Sequence, residues 1–500
     1  MPTIYCVISK QFFSYGSGRE TATGVYSAFS SLFSYVFSLF ALLFLTFSFI
    51  GCGPSRESIQ PTTGLDSLQT LSAAGEVPLP QRWWEQFDDP QLEGLIDSAL
   101  TRNFNLAAAW ERFRQAQFVL KREKGIRWPQ FEGGAQSAIS RPQPDFAGGE
   151  NIQFGASAQY EIDLWGRIGT GLRAEAYRAQ ASLADYRTAS LSLAAEVSLT
   201  WFRLKAARQQ LALAKDQIQT NEDIFRLIRA RFGGGQVRAV DILRQQQLLE
   251  STRNQRLIFE QNVALLEHQL AILLGKQPQA IDPPEAQDFP ELPALPSTGL
   301  PLELVRRRPD IQQAYLTLHA ADRDYATAVR AKYPRLSLRL SGQQRANDYE
   351  SLFQEWAYTL AGNIVAPLFY GGSLSAEANR SEAARQEAIY NYGQTVLTAF
   401  QEVEDALVQE QVQASRLEIL EKQLDLAQKT NGQLRNEFLN GFSPYLDVLL
   451  GLDQEQQLKR DLIDARLAQL EIRVGLYRAL AGSFETEREI ALNSEEKTTP

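Results

Sequence analysis

Methionine is almost missing from this 500-residue chain, the initiator being the only one, and histidine and cysteine number two each. A thioether or thiolate metal site needs clustered soft ligands, so this scarcity excludes one in practice. His268 and His319 each stand alone on a helical pattern. They read as packing or surface residues rather than as parts of a triad or metal centre. Basic charge is also short, with 50 Lys and Arg against 59 Asp and Glu for a net charge of −9. That balance argues against a nucleic-acid partner, whose phosphates require a basic face. Cys6 and Cys52 lie in or just after a removable N-terminal segment, so no disulfide is expected.

What the N-terminus does contain is apolar. Lys10 and Arg19 precede a run from Leu32 to Ile50, interrupted only by Ser34, Ser38, Thr46 and Ser48, and Gly51-Cys52-Gly53 follows. The run is long enough to cross a bilayer as an uncleaved anchor. A basic start, an apolar middle and a small residue before a lone Cys are closer to a bacterial lipoprotein signal. Phe49 and Ile50 depart from the usual pattern before the cysteine, whereas Gly51 fits it. The expectation is a signal peptide over 1–51, acylation at Cys52 and a lipidated tether over 52–80. No other cofactor or metal is expected.

The rest of the chain is a duplication. Trp128-Pro129-Gln130-Phe131 aligns with Tyr333-Pro334-Arg335-Leu336, and Leu164-Trp165-Gly166-Arg167 aligns with Phe369-Tyr370-Gly371-Gly372, both 205 residues on. Phe232, Gly235 and Asp241 match Phe438, Gly441 and Asp447 at 206, and Gly275 matches Gly482 at 207. One long unit used twice is not a solenoid, which stacks many short ones. The first repeat spans 81–280, a Pro-rich connector 281–301, the second repeat 302–483 and a C-terminal tail 484–500.

Each repeat reads the same way. Asp88-Asp89-Pro90 starts a helix that runs to about Gly125 and stops before Pro129. Residues 130–139 and 151–165 then read as paired strands. In the second strand Ile152, Phe154, Ala156, Ala158, Tyr160, Ile162 and Leu164 alternate with Gln153, Gly155, Ser157, Gln159, Glu161 and Asp163. Period two with one apolar and one polar face fits a half-buried sheet, or a membrane strand facing lipid on one side and a wet lumen on the other. Gln153, Gln159, Glu161 and Asp163 are the lumen candidates. Leu336, Leu338, Leu340 and Tyr358, Leu360, Ile364 repeat the alternation.

Proline-free stretches at 170–232 and 376–439 predict helices on the order of 90–95 Å long. In the second, Val396, Phe400, Val403, Leu407, Ala414, Leu417, Leu424, Ala427, Leu434 and Phe438 form a coiled-coil seam. Turns at Gly233-Gly234-Gly235 and Asn440-Gly441 send helices back over 238–274 and 445–481. The triple glycine lies between helices and has no GK[ST] ending, so it is a turn and not a phosphate loop.

Four membrane-type strands cannot close a barrel, and an open edge cannot face lipid. Three copies would supply twelve strands, an even number within the range of such barrels. The chain is therefore expected to be an α+β membrane protein and a homotrimer. It resembles the outer-membrane efflux lipoproteins of the OprM, CusC and NodT group, relatives of TolC. The resemblance covers about 80–490 and is carried best by YEIDLWGRIGTGLRAEAYRAQASLADY (160–186), RRRPDIQQAYLTLHAADRDYATAVRAKYPRLSL (306–338) and APLFYGGSLSAEANRSEAA (366–384). It implies a shared twelve-stranded barrel in outer-membrane lipid above a periplasmic helical tunnel. It also implies export of drugs or other small molecules, with a periplasmic membrane-fusion adaptor and an inner-membrane pump of the RND type. Type I protein secretion and a non-conducting structural lipoprotein are the alternatives. No enzyme is expected.

The resemblance also implies a gate. Aspartates on the second hairpin ring the periplasmic mouth in this family, and Asp447 matches the first of them. The second is Leu450 here, and the Tyr and Arg that latch some relatives correspond to Phe438 and Ser443. Asp447 and Asp241 are thus the gate candidates, with helix capping as the competing role for each and the favoured one for Asp241. The hairpin tips, at Gly235, Val237, Arg238, Gly441, Ser443 and Pro444, are the expected adaptor contacts.

Overall fold

A computed structural model describes residues 72, 75, 80–139, 150–280, 288–298, 301–346, 356–480 and 482–498. All of these belong to the second of two units, Thr62–Pro500. Cys52 and the signal segment lie outside the described residues.

Asp89 opens the folded body as its sequence predicts. Its carboxylate accepts from the amides of Gln91 and Leu92, and Pro90 occupies the first position of helix α1 (Pro90–Arg102), where a missing N–H costs nothing. The single helix expected as far as Gly125 is instead two. Asn103, extended at φ −64° and ψ 126°, ends α1 and caps α2 (Phe104–Gly125). Its side chain accepts from the Leu106 amide and donates to the Leu273 carbonyl at 3.0 Å. The break is a tertiary tie to a helix end 170 residues away, which local propensity does not encode.

Strands β1 (Gln130–Ile139) and β2 (Glu150–Ile162) pair antiparallel, as do β3 (Arg335–Ala346) and β4 (Ala357–Val365). β2 and β3 join the pairs into one four-stranded sheet in the order β1-β2-β3-β4. One face is apolar and largely exposed: Phe131 is 80% exposed, Tyr358 75%, Leu360 76% and Ile364 74%. The strand expected to run to Trp165 stops at Ile162. Asp163 is therefore not a strand residue; its two carboxylate oxygens accept the amides of Ile168 and Gly169 at 3.0 and 2.7 Å and seat the next helix.

That helix, α3 (Arg167–Gly233), and its counterpart α7 (Ser373–Leu439) are both 67 residues long, about 100 Å each. Their left-handed caps, Gly166 (φ 73°) and Gly372 (φ 81°), stand 206 residues apart. The 205-residue alignment of Leu164–Arg167 is therefore one residue short. α4 (Ala239–Leu273) and α8 (Tyr445–Leu480) return antiparallel. Ahead of β3 come α5 (Pro301–Arg307) and α6 (Pro309–Arg330).

Helices this long hold their shape through partners. The expected seam on α7 is buried at Val396, Val403 and Phe438, but Ala414 is exposed and Gln413 is buried in its place, donating to the Ala465 carbonyl at 2.6 Å. The seam between α3 and α8 is polar through its middle. Gln210 donates to the Arg460 carbonyl at 2.9 Å, Gln217 to the Gln456 carbonyl at 3.1 Å, and Arg460 to Gln217 Oε1 at 2.7 Å. All four side chains are buried. Apolar clusters lie at either end of this polar stretch.

The larger cluster gathers Trp83, Trp84 and Phe87 with Trp201, Phe202 and Tyr477. Beneath it Lys205 Nζ and Trp201 Nε1 each lie 2.9 Å from Asp89 Oδ2, with the Lys205 and Asp89 side chains only 3% and 4% exposed. The segment from 484, expected only as a tail, forms α9 (Glu487–Thr498) and docks here. Phe484 stacks edge-on against Trp84, and Glu489 pairs with Arg187 at 2.8 Å.

Candidate functional site at the hairpin tips

The two hairpins end side by side. After α3, Gly235 takes φ 72° and the Gln236 amide returns to the Arg231 carbonyl at 3.0 Å. After α7, Gly441 takes φ 80° and the Phe442 amide returns to the Glu437 carbonyl at 2.8 Å. Positive φ admits glycine without strain, which is why both copies carry it here. Ile224, Ile228, Phe438, Tyr445, Val448 and Leu452 pack between the tips, with Val237 against them. The Arg231 guanidinium lies 4.9 Å from the Phe438 ring centroid and also faces the Phe438 and Leu439 carbonyls.

The paired aspartates behave differently. Asp241 is 4% exposed and closes a capping box: it accepts the Arg238 amide at 3.1 Å and the Arg238 guanidinium at 3.2 Å. Its carboxylate is consumed by the turn. Asp447 is exposed, and its carboxylate receives the Ser443 hydroxyl at 3.2 Å. Pro444 supplies the carbonyl that takes the Asp447 amide. Phe442 and Leu450 beside it are 84% and 60% exposed. Of the two gate candidates, only Asp447 keeps a carboxylate available to solvent.

Tyr445 and Gln245 were not singled out from sequence. The Tyr445 hydroxyl donates to Gln245 Oε1, and both side chains are buried. Burial, with the Asp241 charge nearby, pushes the Tyr445 phenol far above its ordinary range. Its only sequence signal is an aromatic placed directly after Pro444 at a helix start. Among the strand candidates, Gln153, Gln159 and Glu161 share the polar face of β2, and Glu161 pairs with Arg167 at 2.8 Å. Among the described residues no group of three or more His, Cys, Asp or Glu is arranged to hold a metal.

The profile of the family described as outer membrane efflux protein matches residues 95–276 and 300–482, one match for each repeat. The pyoverdine export outer membrane protein OpmQ of Pseudomonas aeruginosa is 30% identical over 455 residues, 88% of this chain and 95% of the relative. The cation efflux system protein CusC of Escherichia coli K12 is 26% identical over 448 residues, 86% and 96% of the two chains. The solved outer-membrane channel OprN superposes with a TM-score of 0.76 at 26% identity, covering 83% of this chain and 98% of that one. With strands, hairpins and both repeats accounted for along nearly their whole length, the chain belongs to the outer membrane efflux protein family, the TolC-like channels of the outer membrane.

Proposed function

We propose that three copies of this chain, each lipid-anchored at Cys52, form one channel. It carries small molecules passively from an inner-membrane pump of the RND type and a periplasmic adaptor to the cell exterior. The observation that carries this reading is the sheet: among the described residues, four strands with an exposed apolar face and two open edges, with two helices each about 100 Å long leaving from one end. An open edge is not tolerated in lipid, and twelve strands from three copies remove it. Gln153, Gln159 and Glu161 then line a wet lumen. Substrates named for relatives include pyoverdine and cations. For this chain the class is taken as drugs or other small molecules.

At the far end, the exposed Asp447 carboxylates of three copies form a ring that repels anions and binds cations. The tips around Gly235, Val237 and Arg238 and around Gly441, Ser443 and Pro444 meet the adaptor. The test is single-channel recording of the purified protein in planar bilayers. Discrete channels blocked by multivalent cations are expected, with block lost in Asp447→Ala. Absence of channels overturns the conduit; block unchanged by Asp447→Ala overturns the ring alone.

A further inference from the structure

The strand ladder, combined with the duplication, fixes how neighbouring copies pair. Following partners across the sheet from Gln130 leads to Gln159 on β2 and then to Arg339 on β3. The repeat counterpart of Gln130 is Arg335, so one repeat advances the ladder by four residues. From Arg335 the next partner is Val365 on β4, the outer edge of the sheet. An equal step from there arrives at Gly134 on the β1 edge of the next copy.

The pleat agrees with this register and excludes every slip by an odd number of residues. Side chains of directly opposed residues share a face, and a slip of one residue reverses every one of them. On β4 the apolar face carries Tyr358, Leu360 and Ile364, opposed on β3 by Gly342, Leu340 and Leu336, and on β1 it carries Phe131 and Ala135, opposed on β2 by Ala158 and Phe154. Pairing Val365 with Gly134 sets Ile364 against Ala135 on the apolar face and Asn363 against Gln136 on the polar one. A register one residue away sets Ile364 against Gly134 and mixes the faces. β1 and β3 lie 205 residues apart, while Gln159 and Val365, the partners of Gln130 and Arg335, lie 206 apart, the same separation as the helix caps that follow β2 and β4.

We infer that β4 of one copy pairs antiparallel with β1 of the next in this register, Val365 opposite Gly134, Asn363 opposite Gln136 and Ala361 opposite Ala138. The inference rests on the shared-barrel reading above. Each repeat, within a copy and across the boundary between copies, then advances the ladder by the same four residues, the regular stagger that a closed, tilted barrel needs. The contact is heterologous and closes as a ring because each copy offers one β1 edge and one β4 edge.

Disulfide trapping in isolated outer membranes tests it. The full-length double variant Asn363→Cys/Gln136→Cys, oxidised and run without reductant, is expected to shift to a covalent trimer that reductant reverses. Asn363→Cys with Gly134→Cys or with Ala138→Cys, which keep the same face but slip by two residues, are expected to remain monomeric. Ser337→Cys/Asn363→Cys, opposed within one chain, reports that strands β3 and β4 are folded. Trimer formed preferentially by either slipped pair overturns the register while leaving the shared barrel standing. Failure of all three intercopy pairs, with the internal pair closing and the uncross-linked protein sedimenting as a trimer, also overturns the register. If the protein sediments as a monomer, the shared barrel itself falls.

Discussion

Tyr445, the first residue of α8, donates its hydroxyl to Gln245, nearly two turns into α4, and so ties the second hairpin to the first near their tips. Gln245 passes the connection on by donating to the Asn221 carbonyl of α3 at 2.9 Å. Tyr445→Phe leaves a buried acceptor unsatisfied, a loss of about 1–3 kcal/mol at the tip. The expected outcome is a higher basal single-channel conductance; an unchanged value rejects this tie as a restraint on opening. Because the folded phenol is pushed upward by burial and Asp241, the tip keeps its full stability below the ordinary tyrosine value. That stability falls as pH climbs through the raised one. Wild-type conductance should stay flat up to about pH 10 and increase only beyond it.

Asp241 is expected to act on stability and not on the ion path. Asp241→Ala removes the acceptor for the Arg238 amide and guanidinium, at a cost of about 0.5–2 kcal/mol typical of a lost cap. A lower melting temperature with unaltered cation block is the anticipated pair of results. Altered block with an unchanged melting temperature reverses the roles given to the two aspartates.

Much of this division was legible in the sequence. Period-two alternation located the strands, and proline-free heptads located the helices to within three residues, because both signals are local. The glycines and Asp241 marked the tips for the same reason. The break at Asn103 was not legible, since it depends on the Leu273 carbonyl from a distant helix end. Asp163 kept the polar parity of β2, yet its role is set by amides beyond the strand. Ala414 fitted an apolar heptad, but helix packing rotated Gln413 inward, where the Ala465 carbonyl satisfies it.

The buried pair of Asp89 and Lys205 sets an acid limit. Burial alone would raise the Asp89 carboxyl, but hydrogen bonds from Lys205 and Trp201 outweigh it and hold the value below normal. A depressed folded value means that the contribution to stability is complete above the unfolded pKa of about 3.9 and is lost as pH falls through the folded one. Asp89→Asn preserves an N-cap but leaves Lys205 buried without its counter-charge, a penalty on the order of 3–5 kcal/mol. Adding Lys205→Met should restore most of the melting temperature and flatten its dependence below about pH 4. A double variant as unstable as the single one rejects the charge argument.

The polar middle of the α3–α8 seam predicts a conflict between stability and opening. Arg460 is buried with its guanidinium on Gln217 Oε1 at 2.7 Å and Gln457 Oε1 at 2.7 Å, and burial lowers its pKa. Gln217→Leu alone takes one of its two glutamine acceptors from that buried guanidinium, so its melting temperature should drop. Gln217→Leu with Arg460→Leu removes charge and partner together, a replacement that is often neutral or stabilising by about 1–4 kcal/mol. The seam so made would keep Gln210 and Gln456 but carry two leucines between the Trp83 cluster and the Tyr445 cluster, so hairpins that separate here would have to expose more hydrocarbon. The double variant is therefore expected to melt at least as high as wild type while conducting less in bilayers and supporting less export. Equal conductance in the two proteins would show that opening leaves this seam closed.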